Sequence, residues 1–223
     1  HLSIRRQRQM CIRDSVVVVE NEPLMRDLIG KSLESAGFRV TTAANAADAK
    51  RVHLAVDPDA MVIDIELGPG PDGFDLATAL LAESPELAVV FLTNLPDPRI
   101  AGKSTKHIPK NAAYLRKSNL VDASELVAAL NVVLKSEDSS AFRHDLDSQR
   151  PLAELSAKQL EVLKLIAEGL SNQQIADARQ TSVRAVEGMV SRIFEALGID
   201  VQDAGNSRVD AVKKYFLATR PGE

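Results

Sequence analysis

The chain has 223 residues, of which 45% are hydrophobic and 26% charged, as in ordinary globular proteins with room for one or two domains. Its formal net charge of -4 excludes a nucleic-acid-binding signature spread over the whole chain, so DNA binding would depend on local placement of charge. The single cysteine, Cys11, excludes an internal disulfide and a cysteine-based zinc site. The cysteine content and the lack of any apolar run of about 18 residues predict a cytoplasmic protein without a membrane segment.

Residues 1–15 show neither a helical nor a strand period. The stretch HLSIRRQRQMCIRD resembles translated adaptor sequence, and no apolar segment follows its arginines as a signal peptide requires. We predict that residues 1–15 form a non-native or disordered tail, and we base no fold prediction on them.

Residues 16–135 alternate between short apolar runs and amphipathic stretches. Strands are predicted at 16–19, 38–42, 60–65, 87–93 and 113–115, and helices at 23–36, 45–56, 74–82 and 123–134. Strands separated by helices pair in parallel through right-handed crossovers, which predicts an α/β doubly wound parallel five-stranded sheet. In the segment 96–110, Pro98, Gly102 and Pro109 leave room for only a short additional helix.

The remainder of the chain is predicted to be helical. Residues 136–151 are polar and aperiodic, which indicates a linker. Helices are predicted at 156–168, 171–178, 182–197 and about 208–218, which together form a small all-α domain over residues 152–220. Two short helices joined by a tight turn ahead of a longer one are typical of a helix-turn-helix, although a generic helical interaction domain fits the pattern equally well.

Polar residues suited to phosphoryl transfer stand at the carboxyl ends of four predicted strands. In an open parallel sheet, ligands bind at this edge. The set comprises Glu20, Asn21, Asp64, Thr93 and Lys117. Asp64 can attack phosphorus to form an acyl phosphate, while Thr93 and Lys117 hold the phosphoryl oxygens. Oxygen ligands for Mg²⁺ are predicted from Glu20, Asn21, Asp64 and the backbone carbonyl of Glu66.

Four segments resemble the receiver domain of two-component response regulators. They are VVVVENEP, MVIDIELGPGPDGFDL, FLTN and AAYLRKS. The resemblance implies a flavodoxin-like receiver over residues 16–135, a phosphorelay in which a histidine kinase phosphorylates Asp64, and Mg²⁺ as the cofactor. It also implies that Thr93 is a switch residue, and that Tyr114 turns inward when Thr93 moves toward the phosphoryl group.

The segment LSAKQLEVLKLIAEGLSNQQIA and the following VSRIFEALGI resemble the LuxR-type DNA-binding domain, so that the whole chain is similar to NarL/FixJ-type response regulators. The resemblance implies transcription regulation through binding of double-stranded DNA. Its DNA-contacting positions correspond to Arg184, Glu187, Gly188, Ser191 and Arg192. A homodimer contact is implied at Val209, Val212 and Phe216, unless these residues only close the core of the small domain. Additional DNA-backbone contacts are expected from Arg208, Lys213 and Lys214.

Some positions depart from the family pattern. Asn21 stands where a second acid is usual, which should weaken Mg²⁺ binding, and Asn94 is larger than the residue that usually follows the switch threonine. The turn from Asp64 to Gly73 is one residue longer than usual. In the DNA-binding segment, Glu187 should repel phosphate unless it accepts a hydrogen bond from a cytosine amine. Gly188 costs about 1 kcal/mol of helix stability relative to alanine. Arg179 occupies a position that is usually apolar.

These observations favour a phosphorylation-controlled transcription regulator that is not an enzyme. The alternative is a DNA-binding regulator whose receiver works without phosphorylation, which Asn21 and Asn94 permit. A hydrolase or phosphotransferase with an aspartyl nucleophile is disfavoured, because the sequence after Asp64 lacks the second aspartate of the haloacid-dehalogenase-like pattern. A protein-binding two-domain adaptor remains the fourth hypothesis.

Overall fold

The computed structural model describes residues 13–103, 108–199 and 204–219, so nearly all of the predicted tail lies outside the described residues. The chain divides into two compact units. The first extends to Thr93 and includes Ile108–Leu115 and Asn119–Arg143, and the second comprises Asn94–His107, Arg116–Ser118 and the chain from His144 onward. No helix within the described ranges is long and apolar enough to cross a membrane.

The first unit is built on a five-stranded sheet. Its strands are β1 (Ser15–Val19), β2 (Arg39–Ala43), β3 (Ala60–Ile63), β4 (Ala88–Thr93) and β5 (Ala113–Arg116). The spatial order is β2-β1-β3-β4-β5, with β1 parallel to β2 and β3, and β3 parallel to β4. This is the doubly wound order predicted from the alternating pattern, and the strand order reverses between β1 and β3.

Four helices cover this sheet, namely α1 (Pro23–Ser35), α2 (Ala46–Val56), α3 (Gly73–Glu83) and α4 (Ser124–Leu134). Side-chain caps fix two of their starts, because Asn45 accepts from the backbone N–H of Asp48 and Asp72 from that of Asp75. One core cluster contains Val16 and Val18 of β1 and the inner faces of α1 and α4. Val17 and Val19 are buried as well, because helices cover both faces of the parallel sheet.

The chain after β4 forms a short 3₁₀ turn over Pro98–Ala101, shorter than the additional helix for which the sequence left room. Pro98 stands at the start of this turn, and Gly102 ends it in the left-handed region at φ 74°. The proline fixes the backbone where the turn begins, and the left-handed glycine prevents the turn from continuing as a helix. Only one turn therefore forms within the described part of this segment.

The predicted linker carries two more 3₁₀ turns, Ser140–Phe142 and His144–Leu146. The buried hydroxyl of Ser139 donates to the carbonyl oxygen of Ala112 at 3.1 Å, within the first unit. Arg143 forms an isolated parallel bridge with Tyr114 beside β5. The first part of the linker is therefore held along the sheet of the first unit.

The second unit contains α5 (Ala157–Ala167), α6 (Asn172–Ala178), α7 (Val183–Ala196) and α8 (Ala204–Thr219). Reciprocal capping boxes fix the starts of α5 and α6, through Ser156 with Gln159 and Ser171 with Gln174. The core of this unit is apolar and includes Leu160, Leu163, Ile166, Ile175, Val186, Ile193 and Leu197. The predicted order of two short helices followed by a longer one is confirmed.

Candidate functional site

The register of the sheet brings Glu20 and Asp64 together. Val19 pairs with Ile63 in the parallel ladder between β1 and β3, so Glu20 and Asp64 are the next residue on each strand. The backbone N–H of Asp64 donates to the carbonyl of Val19 at 2.9 Å, which extends the pairing to this point. Both side chains are buried, with Glu20 2% and Asp64 5% exposed. Two carboxylates buried at one edge of a sheet favour a bound cation.

The loop after β1 is held by α1. Arg26 donates from Nη1 to the carbonyl oxygens of Glu20, at 2.7 Å, and of Asn21, at 3.3 Å. The exposed Asn21 side chain points toward the loop that follows Asp64, since its Nδ2 lies 3.9 Å from where a Cβ on Gly68 would be. Arg26 was not predicted from sequence as part of the site, although its spacing from Glu20 places it on the first turn of the helix that follows.

The loop from Asp64 to Gly73 folds back on its own backbone. The carbonyl of Ile65 accepts from the backbone N–H of Leu67 at 3.2 Å and of Gly73 at 3.0 Å. The backbone N–H of Glu66 donates to Oδ1 of Asp64 at 3.3 Å. These bonds close the loop and hold Oδ1 of Asp64 against the backbone of Glu66.

Thr93 is fully buried at the end of β4, as expected for a residue at the carboxyl edge of the sheet. Tyr114 is also fully buried, and its ring centroid lies 6.5 Å from that of Phe91 in β4. This is the inward position that the resemblance to receivers assigns to Tyr114. Its coupling to Thr93 remains a prediction.

Asn94 and Lys117 belong to the second unit, and their distance from Asp64 remains a prediction. Asn94 directly follows Thr93, and its Oδ1 is buried without a hydrogen-bond partner. Lys117 is partly buried and begins a 3₁₀ turn directly after β5, which ends one residue later than predicted.

The donor set at the edge of the first unit suits Mg²⁺. Within the described residues, no three histidine, cysteine or acidic side chains form a metal-binding group. Two carboxylates, an amide and a backbone carbonyl are nevertheless hard oxygen donors, and Mg²⁺ commonly takes one or two carboxylates with water and phosphate completing its shell. Glu20, Asn21, Asp64 and the carbonyl of Glu66 therefore fit the ion by chemistry.

One side of α7 carries the residues predicted to contact DNA. Arg184, Glu187, Ser191 and Arg192 are exposed and Gly188 is partly so, whereas the opposite side buries Val186, Val190, Ile193 and Phe194. The Ser191 hydroxyl donates to the carbonyl of Glu187 at 3.1 Å, which leaves its oxygen as an acceptor. A helix with one buried and one basic polar side can enter the major groove.

Two arginines of the second unit have structural roles. Arg179 forms an ion pair with Glu161 of α5, which explains how a charge occupies a usually apolar position. Arg208 donates to Oδ1 of Asn172 at 3.2 Å and to the carbonyl of Leu170, tying α8 to the turn between α5 and α6. Two nitrogens of the Arg208 guanidinium thus bond inside the unit, and its contact with the DNA backbone stays a prediction.

Two family models of known proteins match this chain, one in each half. The family model for the response regulator receiver domain matches residues 16–131, more than half of the chain. The chain is a response regulator. The model for bacterial regulatory proteins of the luxR family matches residues 153–213, so this response regulator carries the domain order predicted from sequence and acts in transcription.

The response regulator has curated and structural relatives. It is 30% identical over 178 residues to the oxygen regulatory protein NreC of Staphylococcus aureus, covering 72% of this chain and 79% of that protein. RcsB from Salmonella enterica serovar Typhimurium, bound to promoter rprA with phosphomimetic BeF₃⁻, matches with a TM-score of 0.54 and 20% identity over 91% and 99% of the two chains. A structure of two RcsB dimers on two parallel DNAs matches with a TM-score of 0.55 and 19% identity over 94% and 100%. At these identities, the structures support the fold alone.

Proposed function

We propose that Asp64 accepts a phosphoryl group from a histidine kinase and that phosphorylation changes DNA binding by α7. The observation that carries this proposal is the pairing of β1 with β3, which places Glu20 beside Asp64 at the end of the sheet. As a DNA-binding regulator, the protein would act in the cytoplasm.

The proposed reaction needs little from the protein beyond positioning and charge neutralisation. A carboxylate oxygen of Asp64 forms a bond to phosphorus, and the phosphorus–nitrogen bond of the kinase phosphohistidine breaks, with the electron pair leaving on the imidazole. Mg²⁺ bound by Glu20, Asn21, Asp64 and the Glu66 carbonyl would neutralise charge on the transferred group. Thr93 and Lys117 would then bind its oxygens, and Asn94 would line the pocket.

Incubation with acetyl phosphate and Mg²⁺ tests this step. We expect the protein to gain the mass of one phosphoryl group, stable in acid and labile in base, and Asp64→Asn to gain none. Asp75→Asn is the matched control, because Asp75 is an exposed aspartate on α3, and it should be labelled like the wild type. Absence of the gain in the wild type would favour the regulator that works without phosphorylation.

We further propose that the protein binds DNA as a homodimer through α8. Val209 is 50% and Phe216 39% exposed, and Val212 between them is half-buried. These three side chains therefore form an apolar stripe on α8 that is only partly covered by the core of the unit. Phe216→Asp should shift the sedimentation of the phosphorylated protein from dimer to monomer. Leu217→Asp, on the adjacent exposed face, is the control and should leave the dimer intact.

A further inference from the structure

Asp97 is a buried carboxylate that the proposed phosphoryl chemistry does not use. It lies four residues after Thr93 in the segment that belongs to the second unit, and its exposure is 1%. A charge buried this deeply is retained only where hydrogen bonds and opposite charges compensate for lost hydration.

Two arginines supply that compensation. Oδ1 of Asp97 accepts from the backbone N–H of Arg99 at 2.8 Å, and Oδ2 accepts from Nε of Arg99 and Nε of Arg150, each at 2.8 Å. Arg99 lies in the 3₁₀ turn that begins directly after Asp97. Arg150 lies in the predicted linker, 53 residues from Asp97 in sequence. The three side chains form an ionic clasp within the second unit, in which the carboxylate is buried and both arginines are partly buried.

The clasp continues into the backbone that leads to α5. Nη1 of Arg99 donates to the carbonyl oxygen of Leu155, one residue before the capping serine of that helix, and Nη1 of Arg150 donates to the carbonyl of Asp147 at 2.7 Å. The Pro98–Ala101 turn packs against α5, and Ile100 is buried within the unit. The segment after Thr93 thus contacts α5, the first of the DNA-binding helices, and the backbone just before it.

We propose that the Asp97–Arg99–Arg150 clasp is the mechanical link by which the state of the receiver reaches the DNA-binding unit, an inference that rests on the proposed function. Asp97 acts here as a positioning residue. Only three residues separate it from Thr93, which is at most about 14 Å of extended chain. Under this proposal, a displacement of Thr93 has only these three residues to cross before it reaches the clasp, and Arg99 connects the clasp to the backbone just before α5.

The clasp positions the DNA-binding helices rather than masking them. It holds the Pro98–Ala101 turn and the chain ahead of α5, whereas Arg184 and Arg192 on α7 are exposed. Loss of the clasp should accordingly uncouple DNA binding from phosphorylation without creating or removing a DNA contact.

The test uses the full-length protein with and without acetyl phosphate and Mg²⁺, and measures phosphoryl uptake together with amide hydrogen exchange over residues 150–160. In the wild type, phosphorylation should change exchange in this segment by about threefold or more. Asp97→Asn and Arg150→Gln should take up phosphoryl groups within about twofold of the wild type but lose the change in exchange. Arg51→Gln, which breaks the exposed ion pair with Asp48, is the control and should keep it.

Two further variants separate coupling from simple destabilisation. Arg150→Lys retains the charge and should preserve at least part of the change in exchange. The double variant that combines Asp97→Asn with Arg150→Gln should lose no more of the change than the stronger single variant, because both substitutions remove the same interaction. Persistence of the full phosphorylation response in Asp97→Asn would overturn the link.

Failure of the proposed function gives a different result. A wild type without phosphoryl uptake refutes phosphorylation at Asp64. The existence of the clasp is then tested by amide exchange in the unphosphorylated protein. There, Asp97→Asn should speed exchange of the backbone N–H groups of Ile100 and Gly102, which bond within the turn. Unchanged rates at both amides would overturn the clasp itself.

Discussion

Gly73 lies so close to Asp64 that a Cβ on residue 73 would stand 2.3 Å from the carbonyl oxygen of Asp64. The same Cβ would lie 2.8 Å from Cα of Ile65. Both neighbours are backbone atoms, so neither can move aside as a flexible side chain would. The close approach pins the far end of the loop to the residue proposed to accept the phosphoryl group.

Gly73→Ala should therefore destabilise the first unit by about 1–3 kcal/mol and lower phosphoryl uptake, because the added methyl group forces the Asp64 backbone to shift. Urea denaturation and acetyl phosphate labelling measure the two effects. Gly30→Ala is the matched control, since its Cβ would make an ordinary 3.6 Å contact with Thr42. Equal stability of the two variants would contradict the prediction.

Asn21→Asp should increase the affinity of the site for Mg²⁺ by about tenfold, because it replaces a neutral amide ligand with a third carboxylate beside Glu20 and Asp64. The Mg²⁺ concentration that gives half-maximal labelling by acetyl phosphate measures this affinity. Asn111→Asp introduces the same charge at another exposed asparagine and should leave the value unchanged. A similar gain in both variants would point to net charge alone.

Arg184→Ala and Arg192→Ala should each weaken DNA binding and reduce the dependence of log affinity on log salt by about 0.9, as expected for loss of one phosphate contact. A contact to a base edge would instead change sequence preference. Fluorescence anisotropy over a salt series distinguishes these outcomes, with Arg51→Ala on α2 as the control. An unchanged slope and affinity in both variants would remove α7 from the DNA interface.

Gly188→Ala should stabilise the second unit by about 1 kcal/mol, because alanine is a better helix former and, among the described residues, no atom outside the neighbouring backbone of α7 lies within 4 Å of the added Cβ. Thermal unfolding measures the gain. A loss of stability would mean that this side of α7 is packed against another group.

The clasp predicts a pH dependence of stability. Burial raises the pKa of Asp97, but hydrogen bonds from Arg99 and Arg150 outweigh burial and hold the pKa below its ordinary value of 3.8. A carboxyl whose pKa is depressed on folding stabilises the folded state above that ordinary value, and this contribution is lost as pH falls through the folded-state pKa. Asp97→Asn should lower the free energy of unfolding at pH 7, and its difference from the wild type should shrink below about pH 4. A difference that stays constant in denaturant titrations at pH 7 and pH 3 would contradict this.

The sequence was sufficient to predict the fold because local sequence patterns indicate where its strands and helices lie. Apolar strand runs, helical spacing and capping residues such as Ser156 and Ser171 act over a few neighbouring positions, and these elements were confirmed. Glu20 and Asp64 were predicted to meet because both follow strands of one parallel sheet, and the register of β1 and β3 makes them neighbours.

Features that depend on distant pairing were not predicted. Asp97 and Arg150 are 53 residues apart, and no period or motif indicates that they form an ion pair. Gly73 was recognised only as the end of a long turn, because its close approach to Asp64 depends on how the loop folds back. The bond from Arg208 to Asn172 was also not predicted, because it depends on how α8 packs against the start of α6.

The division of the chain places Asn94 to Lys103 with the DNA-binding helices, although this segment precedes the last strand of the receiver sheet in sequence. The halves of this regulator are therefore not interchangeable modules. A chimera joined at residue 144 would inherit a foreign loop opposite Arg150 and lose the carboxylate that neutralises it. Exchange of DNA specificity with a relative would have to transplant Asp97 and Arg99 along with the carboxyl-terminal segment.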